Sequence, residues 1–308
     1  MADWTPSRCT VGSLEALVAR GLLMPRTDAM EWLVPGNEAL PAPPDGYVVS
    51  FRHFHERGLG MPPHPFFRGI LHHYGLELQH LNPNSVQHLA AFVALCEGFL
   101  GIAPHFRLFK HFFDCQLVTK KDTAGNPRAV PIGSASFRLR GGRSRKYISI
   151  ALTDSNKGWH EQWFYLRNTA ATPLPEFTGN LITAAPEKWH FGVPGDEKRG
   201  IVALLEAIEA LDQAGVTGVG VIGSYHLRRL APLQARRRMM SEMGSDFAWE
   251  GTCMVDPWAD PRISLRELKA RLAEAMLKTA AAWDQFDWPV PNHPPMLPEQ
   301  GAIVFVSF

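Results

Sequence analysis

Residues 65–117, PFFRGILHHYGLELQHLNPNSVQHLAAFVALCEGFLGIAPHFRLFKHFFDCQL, place three apolar helical patterns between sharp stop signals. Pro62, Pro63 and Pro65 reset the chain, and a helix is predicted from about residue 64 to 74, ended by Gly75. Asn84 or Ser85 is expected to cap the next helix. Its Val86, Leu89, Ala90, Val93, Cys96 and Leu100 follow helical spacing, and Gly101 stops it. A third helix over residues 104–113 carries Phe106, Phe109, Phe112 and Phe113, a density of rings that marks a core. From Gln116 the period changes to two. QLVTKK, SASFRLR, KYISIAL and QWFYLRN read as four strands, with Gly141-Gly142 at the turn between the middle pair. The fold class this predicts is α+β, with helical N-terminal and C-terminal layers around a small antiparallel β-meander.

Flanking segments complete that expectation. A short helix is predicted over residues 13–23 with Ser13 as N-cap and Leu14, Leu17 and Val18 on one face. Proline-rich connectors occupy residues 35–44 and 173–186, and YVVSF at 47–51 reads as a strand. Ile201, Leu204, Leu205, Ile208 and Leu211 share a helix face that Gly215 ends, and Thr217 can cap a further helix. Ser264-x-x-Glu267 is a capping box opening a charged, Ala- and Leu-rich helix that reaches Trp283. That helix can dock within the fold or pair with a second chain. The organisation expected is an N-terminal helix and linker (1–45), a core of three helices plus meander (46–170), a connector (171–198), a helical region (199–285) and a Pro-rich tail ending in a strand-like segment (286–308).

Composition narrows the partners. The 308 residues are 45% hydrophobic and 20% charged, enough apolar material for a sizeable core, and no run is long enough to span a membrane. A net charge of +1 supplies no global field toward polyanions, so any such binding must come from local patches. Cys9, Cys96, Cys115 and Cys253 are scattered, and the opening MADWTPSRCT has no apolar run. Both features predict reduced thiols and a nuclear or cytoplasmic location.

Nine of the 13 histidines fall between His53 and His111, yet no C-x2-C pair accompanies them, and His72 and His73 point about a hundred degrees apart on a helix. No metal site, cofactor or catalytic residue is predicted. There is no G-x-S-x-G elbow or phosphate loop, and Asp122-Thr123-Ala124-Gly125 only superficially approaches a protease loop and falls in an expected hairpin turn. Basic patches remain. Arg138, Arg140, Arg143, Arg145 and Lys146 crowd one predicted hairpin, with Trp163 (beside Trp159 and Tyr165) as a stacking platform. Arg236, Arg237 and Arg238, near Arg228 and Arg229, form a second cluster. Cations beside aromatics are the ingredients of single-stranded nucleic-acid binding, so RNA or single-stranded DNA is the partner expected; a solvated hairpin and helix end is the plainer alternative.

Four separated blocks share one likeness: GYVVSFRHFHERGLGMPP (46–63), residues 65–117, SNKGWHEQWFYLRN (155–168) and GVTGVGVIGSYHLRRLAPLQARRRMM (215–240). Together they resemble the gypsy-type transposon domain family of plant genomes. The resemblance implies a retrotransposon-derived, non-enzymatic protein, gag-like or nucleic-acid-associated. Two departures stand against a complete gag protein: capsids of such elements are usually all-helical, and the zinc knuckle is missing. The alternatives are a domesticated module that self-associates or binds a host protein, and a metal-dependent transposase needing three convergent carboxylates.

Overall fold

The computed structural model describes residues 3–26, 31–142, 147–148, 157–168, 173–213, 215–218 and 221–222. The predicted helix at 264–283, the terminal strand-like segment and the Arg228–Arg229 and Arg236–Arg238 clusters lie outside them, as does most of KYISIAL. What is described is α+β, with helices and small antiparallel sheets around one hydrophobic cluster.

The first helix, α1 (Val11–Ala19), is capped three residues before the expected Ser13. Thr10 is its N-cap: Thr10 Oγ1 accepts from Ser13 N–H at 3.2 Å, and Ser13 Oγ accepts from Thr10 N–H at 3.0 Å. This reciprocal pair satisfies two otherwise orphaned donors. Leu14 and Leu17 face the core. After β1 (Trp32–Leu33) and β2 (Tyr47–Phe51), α2 (Arg52–Glu56) and α3 (Pro65–Tyr74) follow. Gly75 ends α3 at φ 68°, a left-handed conformation that a Cβ would disfavour.

The central helix is α4 (Pro83–Ala94). Its cap is Asn82, whose Oδ1 accepts from Ser85 N–H at 2.9 Å, with Pro83 in the first turn, where no N–H is needed. Ser85, a predicted cap, instead lies inside the helix, and its Oγ accepts from Phe137 N–H at 2.9 Å. Every residue of α4 except Asn84 is buried, Gln87 and His88 included. The helix is therefore surrounded rather than one-sided, which its apolar periodicity did not indicate. It continues through one wide turn, Leu95–Leu100, to Gly101. The helix α5 (Phe106–Phe112) then passes directly into β3 (Phe113–Leu117). Phe109 is the hub of the core, with the rings of Phe66, Phe92, Phe113 and Phe137 at 5.6, 5.2, 4.9 and 5.4 Å.

The strand pairing departs from a consecutive meander. Strand β3 pairs with β6 (Ala135–Leu139) from Phe113↔Leu139 to Leu117↔Ala135, and between them a small arm is closed by β4 (Lys120–Lys121) and β5 (Pro127–Arg128). QWFYLRN does not join this sheet. It forms β7 (Trp163–Arg167), the middle strand between β1 and β2, with Tyr47↔Arg167 and Phe51↔Trp163 in register. The last described helix is α6 (Val202–Gln213), and Gly215 follows it at φ 85°.

Both proline-rich connectors are tied to the core by side chains. Tyr165 Oη–H donates to Glu38 Oε1 at 2.8 Å and accepts from Ala42 N–H at 3.0 Å, fixing the first. Buried Glu77 fixes the second: its carboxylate accepts from Thr178 N–H at 2.8 Å, from the Thr178 hydroxyl and from Gln79 Nε2. His80 Nε2–H adds a bond to Asn180 O at 2.9 Å.

Candidate nucleic-acid interface

The predicted hairpin site is only partly brought together. Arg143, Arg145 and Lys146 lie outside the described residues. Arg138 is exposed on β6, opposite Asp114 of β3, with which it shares a face. Arg140 has a different role from the one its sequence neighbours suggested. Its Nε–H donates to Lys110 O at 2.9 Å and Phe113 O at 3.0 Å, while Nη1 and Nη2 donate to His190 O at 3.0 Å and Phe191 O at 3.1 Å. The planar fork thus ties the end of α5, the start of β3 and the 190–191 backbone together.

Trp163 is not a stacking platform. It is fully buried, its indole N–H donates to Thr5 O at 2.9 Å, and the Trp4 ring meets it edge-on at 5.8 Å. Alternation along a strand puts every second side chain in water only when one sheet face is open. Here Trp163, Phe164, Tyr165 and Leu166 are all buried, because β7 is a middle strand covered on both faces. Trp159 is buried as well, its ring 3.1 Å from where a Cβ on Gly133 would stand, at φ 69°.

Lysines that sequence reasoning did not select are better displayed. Residues 119–128 are exposed throughout, so the β4–β5 arm carries Lys120 and Lys121 clear of the core. Arg128 on the same arm is held by Asp3, with Nη2 at 2.7 and 2.8 Å from the two carboxylate oxygens, and this pairing lowers the Asp3 pKa. Asp122 closes the turn, Oδ1 accepting from Ala124 and Asn126 N–H at 2.8 Å each. The signal available in sequence was the Lys-Lys pair ahead of a D-x-x-G-N turn, which marks a solvated hairpin tip.

A cavity of about 510 Å³ opens between Gly141-Gly142, His111 and α6. Glu206 and Glu209 line it, together with Val202 and Leu205. Two carboxylates and His111 therefore face Gly141-Gly142, which makes this cavity a poor place for phosphate.

Three of the eleven described histidines act as backbone acceptors. His64 Nδ1 accepts from Phe66 N–H at 3.0 Å, His80 Nδ1 from Glu77 N–H at 2.9 Å and His105 Nδ1 from Leu108 N–H at 3.2 Å. A backbone N–H can only donate, so all three rings are neutral with the proton on Nε2. His64 uses that proton toward Glu97 Oε1, 2.8 Å away. Among the described residues no group of three or more His, Cys, Asp or Glu side chains could hold a metal ion. Cys9, Cys96 and Cys115 are buried free thiols whose pKa values burial raises, Cys9 to about 11. No helix among the described residues is long and apolar enough to cross a membrane.

An aromatic-cored α+β protein with basic side chains displayed on short hairpins is the class that this architecture defines. Residues 48–117, from β2 to the last residue of β3, match a family model described as "Putative gypsy type transposon", and this block is therefore a gypsy-type transposon family sequence. No curated protein and no solved structure matches the chain.

Proposed function

We propose that this gypsy-type transposon-related protein is a non-enzymatic, gag-like factor that binds RNA or single-stranded DNA in the nucleus or cytoplasm. The observation that supports it best is the exposed arm at residues 119–128, which holds Lys120 and Lys121 in water next to the sheet that displays Arg138. Phosphate neutralisation needs cations that are solvated when free, and these three side chains meet that condition. A binding rather than catalytic role fits the histidine chemistry, since His64, His80 and His105 serve as backbone acceptors within the fold. The test is fluorescence anisotropy of the full chain with labelled single-stranded RNA and DNA across a salt series. The triple variant K120E/K121E/R138E is expected to lose most affinity. It should also lower the log–log salt slope by about 2, at roughly 0.7 per phosphate contact for single strands. No binding by the parent protein at low salt would overturn the reading.

A further inference from the structure

The segment that follows the second connector carries an exposed aromatic side chain, Phe191. Residues Glu187–His190 form one tight turn against β3. Trp189 anchors it: the indole is 1% exposed and its Nε1–H donates to Tyr74 O at 2.9 Å. Two residues on, Phe191 is 53% exposed. The other large hydrophobic side chains exposed among the described residues, Val11, Leu40, Leu181 and Val202, are all aliphatic. Phe191 is not on a loose loop, because the Arg140 fork holds the carbonyls on both sides of its Cα, His190 O and Phe191 O. The anchor on one side and the fork on the other fix where the ring emerges.

Two arginines stand on the strand end beside this segment, Arg138 and Arg140. The Arg140 guanidinium lies against the adjoining backbone, with its central carbon 3.8 Å from where a Cβ on Gly192 would stand. His190, whose side chain is half exposed, approaches Asp114 Oδ2 at 3.9 Å, and Asp114 sits across the strand pair from exposed Arg138. Asp114 and Glu187, the exposed first residue of the same turn, are carboxylates of this neighbourhood. A ring presented in water with one guanidinium on its own backbone and a second arginine exposed on the adjoining strand is an arrangement on which a nucleobase can stack while neighbouring phosphates meet a cation.

We propose that Phe191 is the base-stacking platform of a single-stranded nucleic-acid site, with Arg138 as its phosphate contact and Arg140 as the positioning residue. This rests on the nucleic-acid reading above and moves the stacking role from Trp163 to a ring that is accessible. Lys120 is six residues beyond Asp114, at most ~20 Å of extended chain, so one strand of a few nucleotides can engage both the arm and the ring.

The experiment uses the full chain and a 12-nucleotide oligouridine labelled with fluorescein. F191A is expected to weaken binding about tenfold while leaving the salt slope unchanged, because stacking releases no counterions. F191W, which enlarges the ring, should bind at least as tightly as the parent. Both variants should keep the parent's thermal melt, since the ring is half in water. If F191A binds as the parent does while K120E/K121E/R138E loses affinity, the platform is overturned and the nucleic-acid reading survives. Failure of the parent to bind overturns both. Affinity lost equally in F191A and F191W also overturns the platform, since a larger aromatic face should restore stacking.

Discussion

Arg140 shows how a basic residue's role is decided by what its donors reach. A solvated arginine on a strand end can be removed at little cost, but this one closes four backbone carbonyls on three segments. R140A should destabilise the protein by about 2 kcal/mol in urea denaturation, since charge-assisted hydrogen bonds exceed neutral ones and two of the carbonyls left behind, Lys110 O and Phe113 O, are partly buried. R140K should recover less than half of that, because an ammonium cannot imitate the fork. A midpoint unchanged by R140A would show that the fork is dispensable. Nothing in FRLRGGR distinguishes Arg140 from Arg138, its neighbour on the exposed face. The difference arises from the 187–190 turn arriving some 50 residues later in sequence, beyond the reach of local pattern.

Among elements, the helices were the legible part. Gly75 and Gly101 announce themselves because caps are local chemistry, although the α4 cap is Asn82 rather than the expected Asn84 or Ser85. Strand partners were not legible. QWFYLRN has the period of a strand, but a sheet places it by what covers it, and that is β2 on one edge and β1 on the other. The same limit hid Phe191 and the Lys120–Lys121 arm, since exposure is a tertiary property. The connectors read as surface chain, yet the second depends on buried Glu77. E77A should release Thr178 from the core and cost about 2–3 kcal/mol. Limited trypsin or thermolysin digestion, with fragments sized by mass spectrometry, should then show cleavage within residues 173–190 that the parent resists. Equal resistance in both proteins would remove Glu77 as the tether.

For the molecule as a whole, the buried imidazoles set an acid limit. Burial lowers the pKa values of His55, His73, His88 and His105 to about 4. In the unfolded chain they return to about 6.5. Between those values the unfolded state binds more protons, so stability falls as pH drops from 6.5 toward 4, and these groups contribute no slope above 6.5. Each unit of difference is worth about 1.4 kcal/mol per group, enough in combination to approach the whole stability of an ordinary domain. Melting temperatures by circular dichroism should be flat from pH 8 to 7 and decline steeply below pH 6; a flat profile down to pH 4.5 would contradict the neutral burial of these rings. The β2–β7 pairing carries a different consequence. Phe51 faces Trp163 across a ladder whose two strands are more than a hundred residues apart, so the 48–117 family block ends long before its first strand acquires a neighbour. That block is a unit of descent rather than a unit of folding: on a ribosome its β2 edge must wait, unpaired, until residue 167 has emerged.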